Sequence, residues 1–166
     1  MNRFVDILNR IRQHANPDWL TSSQQIAWNL LSERLNFLDE VNLWGRHGVG
    51  KTFVGWMLQA QGLAVYAPRL EEVEEKPLQR TIIIDNAGWR RWEVREALRY
   101  CRSQGYEKVV LVTTEPVQDQ LSTVELRLTT EDLEKVVANL RSIGVAPYSD
   151  APRSLWDLVS PMELPS

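Results

Sequence analysis

The sequence predicts an α/β fold in which helices cover both faces of a mainly parallel five-stranded sheet, a three-layer arrangement preceded by N-terminal helices. Short apolar, β-prone segments alternate along the chain with segments whose apolar residues recur at helical spacing. The runs Thr81–Asp85 and Lys108–Thr114 are almost continuously apolar, which is typical of strands buried on both faces. A glycine-rich loop also joins the first predicted strand directly to a helix. This alternation is the pattern of βαβ units.

The N-terminal part of the chain predicts two helices and the first strand. A helix from Asn2 to His14 is followed by Asn-Pro-Asp at 16–18, which breaks it. A second helix begins between Thr21 and Ser23, and its apolar stripe is expected to be Ile26, Leu30, Leu31, Leu35 and Leu38. The strand Val41–Trp44 follows.

Strands and helices alternate through the rest of the chain. The expected elements are a helix Thr52–Gln61, a strand Leu63–Ala67, a solvated loop or short helix over 69–80, a strand Thr81–Asp85, a helix Trp89–Ser103, strands Lys108–Thr114 and Thr123–Leu128, and a helix Glu131–Ser142. Residues 1–144 are expected to form the core with its N-terminal helical segment, and 145–166 a short proline-containing tail. The amphipathic stretch Ser154–Val159 is expected to pack on the core or on a partner.

The segment Gly45–Thr52 carries the most specific chemical signal, because it fits the phosphate-binding pattern G-x-x-x-x-G-K-[ST]. Glycines allow such a loop (P-loop) to turn its N–H groups inward around phosphates, and the following helix directs its positive end at them. Lys51 is expected to reach the β- and γ-phosphates and Thr52 to bind Mg²⁺. The predicted nucleotide-binding residues are Gly45, Arg46, His47, Gly48, Val49, Gly50, Lys51, Thr52 and, directly after them, Phe53.

Polar residues at the ends of two later strands predict the rest of the site. Asp85 ends an apolar run downstream of the P-loop, where a carboxylate would hold Mg²⁺ through water. Thr113 and Thr114 end the next strand, and either could sense the γ-phosphate. Because the carboxyl ends of parallel strands share one edge of the sheet, we expect these residues to gather around one nucleotide.

The residue after Asp85 predicts slow hydrolysis. Asn86 can hydrogen-bond a water but cannot accept its proton, and loss of a general base costs about 10²- to 10⁴-fold in rate. Glu93 or Glu115 could substitute as the base. The catalytic candidates are Lys51, Asp85, Asn86 and Thr114, and an arginine finger could come from Arg90, Arg91, Arg95 or Arg127.

The composition of the chain excludes or disfavours several classes of function. The net charge of −3 disfavours a stand-alone nucleic-acid binder, although a local basic patch remains open. The single cysteine, Cys101, cannot form an internal disulfide, and with only two histidines no zinc site is expected. No signal peptide or membrane span is predicted, so we expect a cytoplasmic protein without membrane association.

The motifs GRHGVGKT, TIIIDNA, VVLVTT and VELRLTTEDL, in this order and spacing, resemble the core of the AAA+/STAND group of P-loop NTPases over about Thr21 to Gly144. The runs Asp85–Ala87 and Leu128–Leu133 look more like the STAND branch. The resemblance implies a P-loop NTPase core with sheet order 5-1-4-3-2, bound ATP and Mg²⁺, and nucleotide-dependent assembly. It also implies phosphate and metal roles for Lys51 and Thr52. The lid domain that completes such proteins is not expected in this sequence.

Three functions follow as hypotheses. The first is an ATP- and Mg²⁺-binding switch or assembly subunit that hydrolyses slowly and works with a partner protein or a second copy of itself. The second is a nucleic-acid-associated ATPase or loader, with the arginine-rich segment Trp89–Arg102 contacting phosphates. The third is a small P-loop kinase.

Overall fold

The computed structural model describes residues 3–160 and contains a five-stranded sheet in the order β2-β3-β4-β1-β5. The strands are β1 Glu40–Trp44, β2 Val65–Ala67, β3 Thr81–Ile84, β4 Lys108–Thr113 and β5 Ser122–Glu125. All neighbouring strands pair in parallel. Read from β5, this is the order 5-1-4-3-2, so the predicted sheet is confirmed.

The helices lie close to their predicted positions. They are α1 Arg3–Gln13, α2 Ser22–Phe37, α3 Lys51–Ala60, α4 Arg91–Ser103, α5 Thr130–Ser142 and the single turn α6 Trp156–Val159. Short 3-10 helices occupy Pro17–Trp19 and Leu70–Glu75, the second within the segment predicted as a loop or short helix. Asn2, the predicted start of the first helix, and residues 161–166 of the predicted tail lie outside the described residues. Between residues 3 and 160, no helix has the length and apolarity to span a membrane.

Helices cover the sheet on both faces, as predicted. Ala27 and Leu31 of α2 and Val54 and Leu58 of α3 pack with Leu43 and other strand residues in one buried cluster. On the opposite face, the apolar stripe of α4 packs against β3 and β4 in a second cluster that includes Cys101. Every residue of β3 and β4 is buried, which explains why these strands are almost continuously apolar.

The parallel arrangement brings three segments to one edge of the sheet. The N–H of Gly45 donates to the carbonyl of Thr113 (3.2 Å), which joins the start of the P-loop to the end of β4. The N–H of Asp85 donates to the carbonyl of Ala67 (2.9 Å), and the N–H of Ala87 donates to the carbonyl of Val112 (2.9 Å). The ends of β1, β2, β3 and β4 are therefore fixed relative to one another, and the site is built on this edge.

Beyond the three layers, α1, α5 and α6 form a third apolar cluster that contains Ile7, Leu140, Leu158 and Val159. The amphipathic stretch predicted in the tail thus packs on the described part of the chain itself. The start of α5 is tied to α2, because Asp132 accepts from the N–H of Thr129 (2.8 Å) and from the N–H of Ser23 (3.1 Å). Helices α1, α5 and α6 therefore pack together, and α5 is also tied to α2.

The structure corrects two details of the predicted core. Ile26 and Leu38, assigned to the buried stripe of the second helix, are 61% and 39% exposed. At roughly 100° per residue, Ile26 lies on the opposite side of α2 from Gln24 and Leu31, which face the core. The fifth strand also ends at Glu125 instead of Leu128, and the chain turns away after its pairing with Trp44.

Candidate functional site

The P-loop has the backbone conformation that the motif predicts. Gly48 and Gly50 have φ values of +74° and +96°, a region that residues with a Cβ rarely adopt. Gly50 caps the N-terminus of α3, and the helix begins at Lys51. The unpaired N–H groups of the first helical turn therefore face the loop, where they and the helix dipole favour an anion.

Lys51 spans the loop from the helix side. Its ammonium donates to the carbonyl oxygens of Gly45 and, at 2.8 Å, of Arg46, so it connects the two ends of the P-loop. The side chain is buried, and this desolvation lowers the pKa of Lys51 to about 8, while the negative charge of Asp85 acts in the opposite direction. A polyphosphate bound here would place negative charge next to this buried cation and stabilise it.

Thr52 and Asp85 place two hard oxygen ligands side by side. The Thr52 hydroxyl donates to Asp85 Oδ2 at 2.6 Å. The same Oδ2 accepts from the Tyr66 hydroxyl at 2.7 Å, and Oδ1 accepts from the N–H of Asn86 at 2.8 Å. One hydroxyl and one carboxylate beside a phosphate site fit Mg²⁺, which is usually held by one or two carboxylates together with substrate phosphates. No cluster of three or more His, Cys, Asp or Glu suited to a metal occurs between residues 3 and 160.

The polar residues after β3 and β4 are held differently from one another. Asn86 has a φ of +51°, is exposed, and donates its side-chain amide to the carbonyl of Pro68 at 3.1 Å. Thr113 is buried, and its hydroxyl donates to the carbonyl of Glu115 (2.6 Å) and accepts from the side-chain amide of Asn42 (2.8 Å). Thr114 is half-buried. The Thr113 hydroxyl is thus engaged within the protein, and a sensor role for either threonine stays a prediction.

A cavity of about 670 Å³ opens next to the P-loop and receives most of the predicted site residues. Its lining includes ten of them: His47, Gly48, Gly50, Lys51, Thr52, Phe53, Asp85, Asn86, Thr113 and Thr114. Gly45, Arg46 and Val49 do not line it, although Gly45 and Arg46 hold Lys51 through their carbonyls. The cavity extends from the P-loop to an apolar end lined by Ile11, Trp19, Trp56, Leu140, Leu155 and Trp156.

Aromatic rings form one continuous row along this cavity. Trp19 stacks on His14 (4.9 Å between ring centroids) and contacts Phe53 (6.5 Å). Phe53 meets Trp56 edge to face, and Trp56 meets Tyr66 in the same way, each pair at 6.5 Å. Flat apolar walls of this kind suit the base of a nucleotide, since every base offers a π-face. The row ends at Tyr66, whose hydroxyl contacts Asp85.

Two segments distant in sequence contact the P-loop from outside. The N–H of Leu155, just before α6, donates to the carbonyl of Gly48 at 2.8 Å. The side-chain amide of Gln24 in α2 donates to the carbonyl of Gly50 at 3.1 Å. The space next to both glycines is filled. A Cβ on Gly48 would lie 2.7 Å from the Ser154 Cβ, and one on Gly50 would meet the Gln24 side chain. Residues of α1, α5 and α6 also line part of the cavity.

The charged residues considered as auxiliary catalysts have other partners. Glu93 caps α4 by accepting from the N–H of Arg90 at 3.1 Å. Arg95 pairs with Asp119 (3.2 Å) and Arg127 with Glu125 (2.8 Å). Within the described part of the chain, none of the candidate arginines lines the cavity, and neither Glu93 nor Glu115 does.

Sequence reasoning missed four residues that shape the site: Gln24, Asn42, Tyr66 and Trp156. Asn42 and Tyr66 left a signal, because each is polar within a strand whose neighbouring residues are apolar. Such a buried group needs a hydrogen-bond partner, and the partner indicates its role. Gln24 and Trp156 left none, since their contacts depend on how helices far apart in sequence pack together.

Comparison with solved structures shows the fold. A structure titled as a DNA replication initiation factor matches 75% of this chain and 53% of its own, at 12% identity and a TM-score of 0.50. AMPPCP-bound DnaA from Aquifex aeolicus matches 79% of this chain and 57% of its own, at 15% identity and a TM-score of 0.46. PCH-2 from C. elegans matches 87% of this chain and 50% of its own, at 12% identity and a TM-score of 0.34.

This chain therefore spans about half the length of the solved structures that it matches. No family model and no curated protein matches the sequence. Together with the sheet order, the likeness shows an α/β core of the P-loop type.

Proposed function

We propose that this chain binds ATP with Mg²⁺ at the P-loop, hydrolyses it slowly, and acts as a nucleotide-dependent switch or assembly subunit with a partner protein or a second copy. The observation that carries the proposal is the convergence of Lys51, Thr52 and Asp85 on one P-loop, at the polar end of a cavity with aromatic walls. Polar and apolar ends in one cavity match the two chemical parts of a nucleotide.

Each part of the site has a role in this proposal. The backbone N–H groups at the start of α3 and the Lys51 ammonium would hold the phosphates, and Phe53 and Trp56 would contact the base. Thr52 and Asp85 would hold Mg²⁺, which neutralises phosphate charge when bound. ATP is preferred over GTP because of the AAA+ resemblance and because the sequence has no Asn-Lys-x-Asp guanine motif.

Slow hydrolysis follows from what surrounds the phosphate end. Asn86 has no basic group to accept a proton, and its amide is already bonded to Pro68. Glu93 is occupied in capping α4. Without a base near the attacking water, the rate is expected to be about 10²- to 10⁴-fold lower than with one.

The switch role is supported by the contacts that the P-loop makes with α2 and with the tail. A ligand that changes the carbonyl directions of Gly48 or Gly50 would act directly on Leu155 and Gln24. The surfaces that would change are therefore α2 and the tail, whose helix α6 packs on α1. Within the AAA+ group, the runs Asp85–Ala87 and Leu128–Leu133 favour the STAND branch, whose nucleotide-dependent assembly agrees with this role.

Nucleic-acid association is a second candidate, favoured by one surface. Helix α4 exposes Arg91, Arg95, Arg99 and Arg102 at helical spacing, next to Trp92, which is 63% exposed. Cations with an exposed aromatic ring suit a phosphate backbone and unpaired bases. Two of these arginines already have partners, Asp119 and Glu40, and the net charge of the chain is −3.

Phosphate release from Mg·ATP by the purified chain tests the proposal, with Lys51→Ala as the blank. A switch predicts tight ATP retention, very slow release, and a different mass in solution or partner affinity with ATP than with ADP. Stimulation by DNA or RNA that weakens steeply with salt would favour the second candidate. Rapid release by the chain alone, at or above the enzyme median of about 10 per second, would contradict the slow switch.

A further inference from the structure

We propose that Tyr66 is a positioning residue, whose hydroxyl holds the Asp85 carboxylate in the orientation needed to bind Mg²⁺. This inference rests on the proposed function of the same site. Tyr66 belongs to none of the P-loop motifs, and its strand has no other polar side chain. The evidence that it orients Asp85 therefore comes from its contacts in the structure.

The first observation is the hydrogen bond itself. The Tyr66 hydroxyl lies 2.7 Å from Asp85 Oδ2, and both residues are buried, at 6% and 4% exposure. The same oxygen accepts from Thr52 at 2.6 Å, and Oδ1 accepts from the N–H of Asn86 at 2.8 Å. A carboxylate offers about four acceptor positions, so one position, on Oδ1, stays open for a metal-bound water. Tyr66 therefore fixes which oxygen faces the metal.

The second observation is the space made for the Tyr66 ring. Gly55 lies in the middle of α3, where glycine costs about 1 kcal/mol relative to alanine. A Cβ on Gly55 would lie 2.9 Å from the Tyr66 ring, so the glycine admits the ring. The ring also packs edge to face on Trp56, and the N–H of Tyr66 donates to the Gln59 side chain at 3.0 Å. The tyrosine is held from three sides, which fixes its hydroxyl.

The Tyr66 hydrogen bond matters because the Thr52 hydroxyl takes part in two interactions. In the described structure its hydroxyl orients Asp85, and in the proposed complex the same oxygen would bind Mg²⁺. Without the Tyr66 hydroxyl, Thr52 would be the only side chain between residues 3 and 160 that donates a hydrogen bond to Oδ2. Removal of groups that orient metal ligands typically costs 10- to 100-fold in metal affinity. The loss should appear in the dependence on Mg²⁺ and leave metal-free nucleotide binding intact.

The test is the variant Tyr66→Phe, which keeps the ring and removes only the hydroxyl. ATP affinity is measured by calorimetry in EDTA and at a series of Mg²⁺ concentrations. The Mg²⁺ concentration for half-maximal enhancement of ATP affinity is expected to rise about tenfold, with affinity in EDTA unchanged. Tyr106→Phe is the matched control, because Tyr106 is equally buried and its hydroxyl donates to the Pro77 carbonyl, away from the cavity.

A Tyr66→Phe variant with the same Mg²⁺ dependence as Tyr106→Phe would overturn the proposal. Gly55→Ala gives an independent test if Tyr66→Phe does not fold, because the added Cβ displaces the ring and should raise the Mg²⁺ requirement in the same direction. A folded Gly55→Ala protein with an unchanged requirement would also overturn it. If the wild-type chain binds no ATP in excess Mg²⁺, the proposed function itself has failed, which is a different result.

Discussion

The backbone N–H of Leu155 donates a 2.8 Å hydrogen bond to the carbonyl oxygen of Gly48, and this bond joins the tail of the described chain to the centre of the P-loop. Gly48 is held at a φ of +74°, and Ser154 fills the space above it. The conformation of the P-loop is therefore tied to the position of α6. Any ligand that rearranges one of them acts on the other.

Replacing Leu155 by proline should loosen the P-loop. The φ of Leu155 is −66°, which suits proline, so Leu155→Pro removes the N–H donor with little strain at that residue. Amide hydrogen exchange of residues 45–52 is expected to speed up in Leu155→Pro. Leu155→Ala, which retains the N–H, serves as the control and should show a smaller effect. Equal protection of the loop in wild type and Leu155→Pro would show that the bond does not order it.

Truncating Trp56 should weaken ATP binding. Its ring lies in the cavity wall between Phe53 and Tyr66. Loss of an aromatic ring that stacks on a base costs about 1–3 kcal/mol, so we expect the Kd of Trp56→Ala to rise roughly tenfold. Trp92→Ala removes a tryptophan that does not line the cavity and should leave the Kd unchanged. Equal Kd values in Trp56→Ala and Trp92→Ala would place the base elsewhere.

Asp132→Asn should destabilise the fold at neutral pH and less so in acid. Burial raises the pKa of Asp132, but hydrogen bonds from Ser23 and Thr129 outweigh it, so the folded pKa lies below the ordinary value of 3.8. A lowered folded pKa contributes stability above pH 3.8 and loses it as the pH falls through the folded value. Because Asn offers one acceptor oxygen where two N–H donors need one each, the variant should lose about 1–3 kcal/mol at pH 7.

Denaturant unfolding at pH 7 and pH 3 measures the difference in free energy of unfolding between wild type and Asp132→Asn. This difference should be smaller at pH 3. Glu131→Gln is the control, since Glu131 is exposed at the same helix start and contacts only the Ser22 hydroxyl among the hydrogen bonds described. Its effect should stay within about 0.5 kcal/mol. If the difference in free energy of unfolding between wild type and Asp132→Asn does not change with pH, the ionised carboxylate is not the stabilising group.

Local patterns predicted most of the fold. The continuous apolar runs predicted the ends of β3 and β4 to within one residue. This works because strands buried on both faces have few polar residues before they end. The glycine spacing predicted the P-loop, since glycine adopts the φ values of Gly48 and Gly50 more readily than residues with a Cβ. The sheet order came from the resemblance and not from the residues themselves.

The features that could not be predicted from the sequence depend on contacts between segments that are far apart along the chain. Ile26 was predicted to be buried because it is apolar, but the polar Gln24 takes the core-facing side of α2, where it bonds to Gly50. The enclosure of the cavity by α1, α5 and α6 could not be predicted from spacing, because it requires the packing of Leu158 and Val159 against helices far away in sequence. The proposed role of Tyr66 depends on its contacts with Gly55 in the preceding helix and with Asp85 after the neighbouring strand.

The central claim is that Lys51 holds the phosphates of bound ATP, and calorimetric titration of Mg·ATP into wild type, Lys51→Ala and Lys108→Ala tests it most directly. Lys108 is a matched control, because its ammonium is also buried but lies at the opposite end of the sheet, bonded to the Leu38 carbonyl at 2.9 Å. We predict binding by wild type and Lys108→Ala and none by Lys51→Ala. Equal binding by Lys51→Ala and wild type would contradict the account.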